Sequence, residues 1–509
     1  MLTECHTVSI PGYPQQGLRS LRRFVAVSRA SRALCEPSAT GSVMAAQREP
    51  NLRLRALLTE ARWTGEGLAR AVNTVGAESG RRLCYNRASV AHWLAGARPR
   101  HPVPLLIAEA FSRKLGRPVT VNAVGLAAPG MSMAGHTTWP DDDTAAALAE
   151  LGSADADPAR RETLRGSVYI LAAPPPPPGR GNQPAPWVPA QRRGDEYEGA
   201  TARPRAESAM AEAAARVARF FADADAAFGG GHGRAALAAY LASDIAPWLR
   251  TGSTSSPHRK LLAAAKDLTY LCGFMCFDDN MHGAAQRYYL TALRLAAEAG
   301  DPAAYGVVLQ AMSVQAHYLG HHRYALDLAE EALRGAAGVA APPTRAFLLG
   351  QRAVAHAGVG HHGAALSDLR AAERLLARTG GTSDVIGAYH QASLEHQRAE
   401  MLAALGDRPG AISALAASLR HRPPAERRSR AITLARLAEL QLDHGHLEAA
   451  VQTWHRFLDE YPFLCCGRAD TALAVMRARI RPHRNNAAAR GLWRRAGRPA
   501  DAITPPPPR

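Results

Sequence analysis

Aromatic side chains, acidic charge and long apolar runs are all scarce in this chain of 509 residues. Phe, Trp and Tyr make up 6% of it against 47% hydrophobic residues overall, so its cores must be built mainly from Leu and Ala. No run of ~18 apolar residues occurs, and no membrane contact is expected. The seven cysteines, at 5, 35, 84, 272, 276, 465 and 466, show no CxxC…CxxC or CxxC…HxxxH spacing. That argues against structural zinc and fits a reducing cytoplasm. Cys272 and Cys276 share one helical face, as small buried hydrophobes do. Gly-x-Ser-x-Gly, His-Glu-x-x-His and Cys/His/Asn constellations are missing, and Gly229–Gly231 lack the Lys-Ser/Thr of a phosphate loop. No catalytic residue, cofactor or metal is therefore expected, and the chain does not read as an enzyme. The close pairs His321-His322, His361-His362, Asp278-Asp279 and Glu330-Glu331 read as solvated surface residues.

Basic charge is what the chain has instead. Its formal net charge is +17, and residues 1–130 carry 18 Lys or Arg against 7 Glu. Residues 477–509 add nine Arg against one Asp. Charge concentrated in one small segment is an electrostatic footprint for phosphate.

Within that segment the spacing predicts four short helices. Leu54, Leu57, Leu58 and Ala61 form one apolar stripe, and Thr64 caps a second helix carrying Leu68, Val72 and Val75. Asn86 caps a third, on which Val90, Trp93 and Leu94 face a core while Arg87, Ser89, Ala91 and His92 stay outside. The fourth carries Ala108, Phe111 and Leu115 and ends at Gly116 and Pro118. A short helix with small and polar groups outside is what a major groove accepts. Arg87, Ser89 and His92 are the candidate base readers. Arg81, Arg82, Arg98 and Arg100 are candidates to position the domain on phosphates, as are Arg53, Arg55, Arg70, Arg113, Lys114 and Arg117. The stretch from Asn73 to Tyr85 far exceeds a three- or four-residue helix-turn-helix turn. Either it carries an extra turn of structure or the two helices meet at another angle.

The second half repeats. Ala285, Ala325, Ala365, Ala411 and Ala450 come into register, with Gly273, Ser313, Ala353, Ala399 and Ala438 twelve residues earlier. Ala292, Ala332, Ala372, Ser418 and the bulkier Phe457 follow seven residues later. Glycines 320, 360, 406 and 445 stand five before the register alanine. Small residues at these offsets let two antiparallel helices pack closely and the next hairpin stack on them, which is the tetratricopeptide pattern. A weaker sixth unit is centred on Ala236.

The expected organisation is all-α. Residues 1–50 form a disordered extension, 51–126 a helix-turn-helix domain, and 127–207 a flexible acidic and Pro-rich linker containing Asp141–Asp143 and the run Pro174–Pro178. Residues 208–482 form a helical repeat domain, and 483–509 a basic, Pro-rich tail. Leu21-Arg22-Arg23-Phe24-Val25 superficially matches a twin-arginine export signal, but Arg29 and Arg32 interrupt the apolar region such a signal requires. Met44 precedes the first regular pattern, so residues 1–43 are expected to be an over-extended start.

Five words carry a family resemblance: Leu68-Ala69-Arg70-Ala71-Val72-Asn73, Ser89-Val90-Ala91-His92-Trp93-Leu94, Gly116-Arg117-Pro118, Gln286-Arg287-Tyr288-Tyr289, and Ser429-Arg430-Ala431 after Pro423-Pro424. Over about 51–490 the chain resembles the actinobacterial helix-turn-helix plus tetratricopeptide-repeat regulators typified by the negative regulator of Streptomyces differentiation. The resemblance implies a cytoplasmic, DNA-associated regulator that restrains sporulation and secondary metabolism. Double-stranded DNA and a protein or peptide in the solenoid groove are the expected partners, and two half-sites would call for a homodimer. The alternative is an interaction or scaffold protein that does not itself bind DNA.

Overall fold

The computed structural model describes residues 49–127, 143–171, 203–250, 255–378 and 389–497, and every regular element among them is helical. The fold is an all-α solenoid preceded by a small helical unit.

That unit comprises α1 (Leu52–Glu60), α2 (Gly65–Glu78), α3 (Arg87–Leu94) and α4 (Val103–Leu115). Local chemistry sets its boundaries. Asn51, Thr64 and Asn86 accept backbone N–H bonds at the starts of α1, α2 and α3, and Gly116 ends α4 in the left-handed region at φ 66°. Leu54, Leu68, Val72, Val90, Leu106, Ile107 and Phe111 are fully enclosed, and Val119, Val121 and Val124 of the returning chain close over them.

The segment expected as a flexible linker is partly folded. Residues 143–171 form α5 (Thr144–Ala156), α6 (Pro158–Arg165) and an extended stretch to Leu171. Asp143, read as part of an acidic run, is the N-cap of α5; Asp157 caps α6, with Pro158 at its first position. Leu148, Leu151, Leu164, Tyr169, Ile170 and Leu171 are buried. Composition averaged over the whole interval hid this short apolar set. Residues 128–142 and 172–202, and with them the proline run, lie outside the described residues, as do residues 1–48.

The repeat region begins with α7 (Arg203–Phe228) and α8 (Gly230–Tyr240), the latter continuing through a π turn, Leu241–Ile245. Five hairpins follow: α9 (Ser256–Asp278) with α10 (His282–Ala299), α11 (Pro302–Tyr318) with α12 (His322–Gly335), α13 (Pro342–Gly358) with α14 (His362–Ala377), α15 (Gln391–Ala404) with α16 (Arg408–His421), and α17 (Arg427–Asp443) with α18 (Leu447–Glu460). All five register alanines are fully enclosed, and so are the small residues twelve before and seven after them. Phe457 is enclosed too, where the array ends against α19 (Gly467–Ile480) and α20 (Ala487–Ala496). Glycines 320, 360, 406 and 445 all have φ between 81° and 88°, and in the first hairpin Asn280 takes the same place at φ 58°. Each hairpin thus turns through one left-handed residue, which glycine adopts freely and asparagine tolerates.

Two repeat-region expectations are corrected. Ala236 is exposed while Leu237 and Ala238 are buried, so α7 and α8 do not share the register; α7 packs chiefly on α9. The tail does not begin at 483, because α20 buries Ala489, Leu492 and Ala496. No described helix is long and apolar enough to cross a membrane.

Candidate nucleic-acid interface

The α2–α3 junction is built from its own backbone needs. Gly80, at φ 71°, ends α2 with Arg81 N–H donating to Gly76 O at 2.9 Å. From there residues 79–86 run back along α2, clamped where Asn73 donates to Tyr85 O and accepts from Tyr85 N, both at 2.9 Å. Leu83 lies so close to Gly76 that a Cβ there would collide with its side chain. The long interval from Asn73 to Tyr85 therefore divides into a last turn of α2 and a pinned, eight-residue crossing. Tyr85 then meets Trp93 edge to face, with centroids 5.1 Å apart.

On α3, Val90 and Trp93 are buried and Leu94 is half-buried, while Arg87, Ala91 and His92 are exposed. Ser89 is half-buried and belongs to the helix cap: its hydroxyl accepts from Asn86 N at 3.4 Å, while its own N–H donates to Asn86 Oδ1 at 3.1 Å. Arg82, Arg98 and Arg100 are exposed beside it. Among the described residues none of Arg82, Arg87, Arg98 and Arg100 has a carboxylate within ion-pair distance. Arg81 differs, being half-buried and donating to Gly166 O at 3.4 Å. Arg113 pairs with Glu78 and Glu109, and Arg117 with Glu60, so neither is a free cation. Sequence reasoning missed Glu66, which accepts from the backbone N–H of Arg87 at 3.2 Å and places a carboxylate at the start of α3.

Residues 54–127 match the family model of the SP15 N-terminal domain. No curated protein matches the chain. The matched segment runs from within α1 to the end of the returning chain, and so covers the whole α2–α3 arrangement.

This segment is docked on the repeats through α4. Glu109, fully enclosed on α4, accepts from Arg113 Nε at 2.9 Å and from Leu171 N at 3.3 Å, and lies 2.6 Å from Nε2 of His321 at the α11–α12 turn. His321 is thus buried by a partner 212 positions away, contrary to its reading as a solvated turn residue. Gln286 brackets Ile170 with two bonds, donating to its carbonyl at 3.1 Å and accepting from its N–H at 3.2 Å. Asp155 of α5 is also fully enclosed, and receives Arg234, Arg161 and the Tyr288 hydroxyl. Residues 143–171 therefore strap the small unit to α8 and α10.

The far end of the array returns to its beginning. Gly231 N–H donates to Cys465 O at 2.9 Å, and Arg428 of α17 pairs with Asp225 of α7 at 3.2 Å. Asp278, expected on a polar surface, is fully enclosed between Arg428 and Arg468. The Arg468 guanidinium lies over the rings of Phe277 and Tyr318, at 5.0 and 5.6 Å from their centroids, so part of the face formed by the first helices of the hairpins is covered by the chain itself. Cys272 and Cys276 are buried, and burial pushes the Cys276 thiol well above its ordinary range.

Proposed function

We propose that residues 51–126 form a helix-turn-helix domain that binds duplex DNA through the outer face of α3, in a cytoplasmic transcriptional regulator whose repeats bind a protein or peptide. The observation that supports this most is that Arg82, Arg87, Arg98 and Arg100, on or flanking one short helix in sequence, are exposed and have no carboxylate within ion-pair distance of their guanidinium groups among the described residues. Unpaired guanidinium groups beside a helix narrow enough for the major groove are suited to phosphates and guanine edges. Arg87 and His92 are the base-reading candidates; Ser89 serves chiefly to cap the helix that carries them. Arg82, Arg98 and Arg100 position the domain on the backbone. A repressor role in differentiation and secondary metabolism follows from the family resemblance, and a homodimer from the two half-sites that so small a reading surface requires.

The test is fluorescence anisotropy of the full chain on genomic duplex fragments across a salt series. Three phosphate contacts give a log–log slope near −2.7, at about −0.9 per neutralised phosphate. Arg87→Ala should cost about 1–3 kcal/mol if it reads a base, and Arg98→Ala should lower the slope by about one unit. Binding that does not respond to salt, or no binding at all, refutes the proposal and leaves the scaffold reading. That second reading draws on Glu66, whose charge at the start of α3 opposes phosphate.

A further inference from the structure

The histidines that sequence adjacency pairs are not the ones that the fold pairs. At the end of α11 and the start of α12, His317 Nδ1 and His322 Nδ1 stand 3.3 Å apart. Across the next hairpin turn His356 Nδ1 and His361 Nδ1 also stand 3.3 Å apart, again five residues apart but one position earlier in the register. A neutral N–H···N bond is already long at that separation. Two nitrogens bound tetrahedrally at 2.0–2.1 Å to one zinc ion stand about 3.3 Å from each other.

Gly358 lies close against the first pair. Gly358, from the next repeat, has no side chain there, and a Cβ on it would lie 3.1 Å from both His317 Nδ1 and His322 Nδ1. At the second pair, Asp368 lies 3.8 Å from Nε2 of His356, but both of its carboxylate oxygens accept from Arg352 at 2.6 Å. We infer that the pairs His317/His322 and His356/His361 are two bis-histidine sites for a borderline divalent cation of the zinc, nickel or copper class. Imidazole nitrogen suits these ions, whereas magnesium and calcium prefer oxygen. Among the described residues no third His, Cys, Asp or Glu converges on either point, so water completes each coordination sphere.

An ion at the first site would clip together the two ends of the turn that carries His321, and hence the turn that holds Glu109 of the small helical unit.

The experiment is a calorimetric titration of the full chain with Zn²⁺ in a non-coordinating buffer, with Mg²⁺ in parallel. His322 and His361 are exposed, so His322→Ala and His361→Ala remove one ligand from each pair without opening a core. Circular dichroism and metal-free melting verify that each variant is folded. Each single variant should lose one Zn²⁺ equivalent, or bind it at least ten-fold more weakly, and the double variant should lose two while Mg²⁺ gives no heat in any of them. A double variant that binds as many Zn²⁺ ions as the native chain with unchanged affinity overturns the inference, as does a native chain that binds none.

Discussion

Replacing Glu109 with alanine removes a group that joins three parts of the molecule at once. Its carboxylate is fully enclosed and serves Arg113 of the same helix, the Leu171 amide of the strap and His321 of the repeat array. Arg113 keeps Glu78 at 2.8 Å, so that cation is not stranded. His321 and the Leu171 N–H are stranded, both buried. Each buried polar group left without its partner costs about 1–3 kcal/mol. The cost falls on docking rather than on the small unit's own core, since Leu106, Ile107 and Phe111 keep their neighbours. Hydrogen exchange followed by mass spectrometry reads this locally: protection in the peptides from 103–115 and 320–326 should fall by a factor of about 10² to 10³, with α17 and α18 unchanged. His321→Ala should produce much of the same loss, and the double variant little more, because both remove one interaction. If Glu109→Ala leaves exchange in both peptides within about threefold of native, or if the two effects add in full, the docking argument fails.

Four further outcomes follow from the same structure. Burial, reinforced by repulsion from Arg113 and Arg468, lowers His282 to about 3, so the unfolded chain binds this proton first as pH falls. The stability it contributes is complete above about pH 6.5 and is lost on the way down towards 3, amounting to about 2 kcal/mol by pH 5; urea denaturation of native and His282→Gln chains at both pH values should differ by that amount, and parallel pH profiles would contradict it. Asp225 acts in the opposite sense, since burial raises it to about 6 against the pull of Arg428, and its contribution is relieved as pH falls below that value. Asn73→Ala removes both bonds to Tyr85 and should cost about 1–3 kcal/mol, seen as faster exchange over 79–86 and weaker DNA binding with an unaltered salt slope. The repeat register is checked by Ala365→Leu, which overpacks a fully enclosed position by about 1–3 kcal/mol, against Ala236→Leu, which at an exposed position should stay within about 0.5 kcal/mol; equal melting shifts would refute the register.

What could be read from sequence was local or periodic. The caps Thr64 and Asn86, the inward residues Val90 and Trp93, the terminator Gly116 and the five register alanines all depend on neighbours within a turn or on a repeat that can be aligned. What could not be read depends on partners far along the chain. His321 looks like a turn residue until Glu109 reaches it, and Asp278 like a surface acid until Arg428 and Arg468 enclose it. Residues 143–171 look like linker because their apolar set is short and lies between a masking acidic run and the prolines. Asp143 carried a usable signal: an acid immediately before Thr144 and an alanine-rich stretch is an N-cap pattern as well as a charge pattern. Gln286 and Tyr288, singled out only as words of a resemblance, acquire physical roles as the residues that hold Ile170 and Asp155.

Docking changes how the proposed regulation must operate. A DNA-binding unit on a freely flexible tether is indifferent to what the repeats bind, because a ligand shifts an equilibrium only by its differential affinity for two states. Here the unit and the array share enclosed contacts through Glu109 with His321, Gln286 with Ile170, and Asp155 with Arg234 and Tyr288. Two of these three run through the strap, which touches both bodies, so a displaced strap leaves Glu109 with His321 as the direct link among the three and loosens the unit without any change in the outer face of α3. Arg81 is the one candidate DNA contact that such a release would expose, since its guanidinium now donates to Gly166 O of the strap. A partner that binds the α10 and α12 edge would then alter DNA affinity through the strap and the charge of Arg81. Coupling of that origin is limited to about 1–3 kcal/mol, a range that a single surface guanidinium and a few exchanged hydrogen bonds can supply.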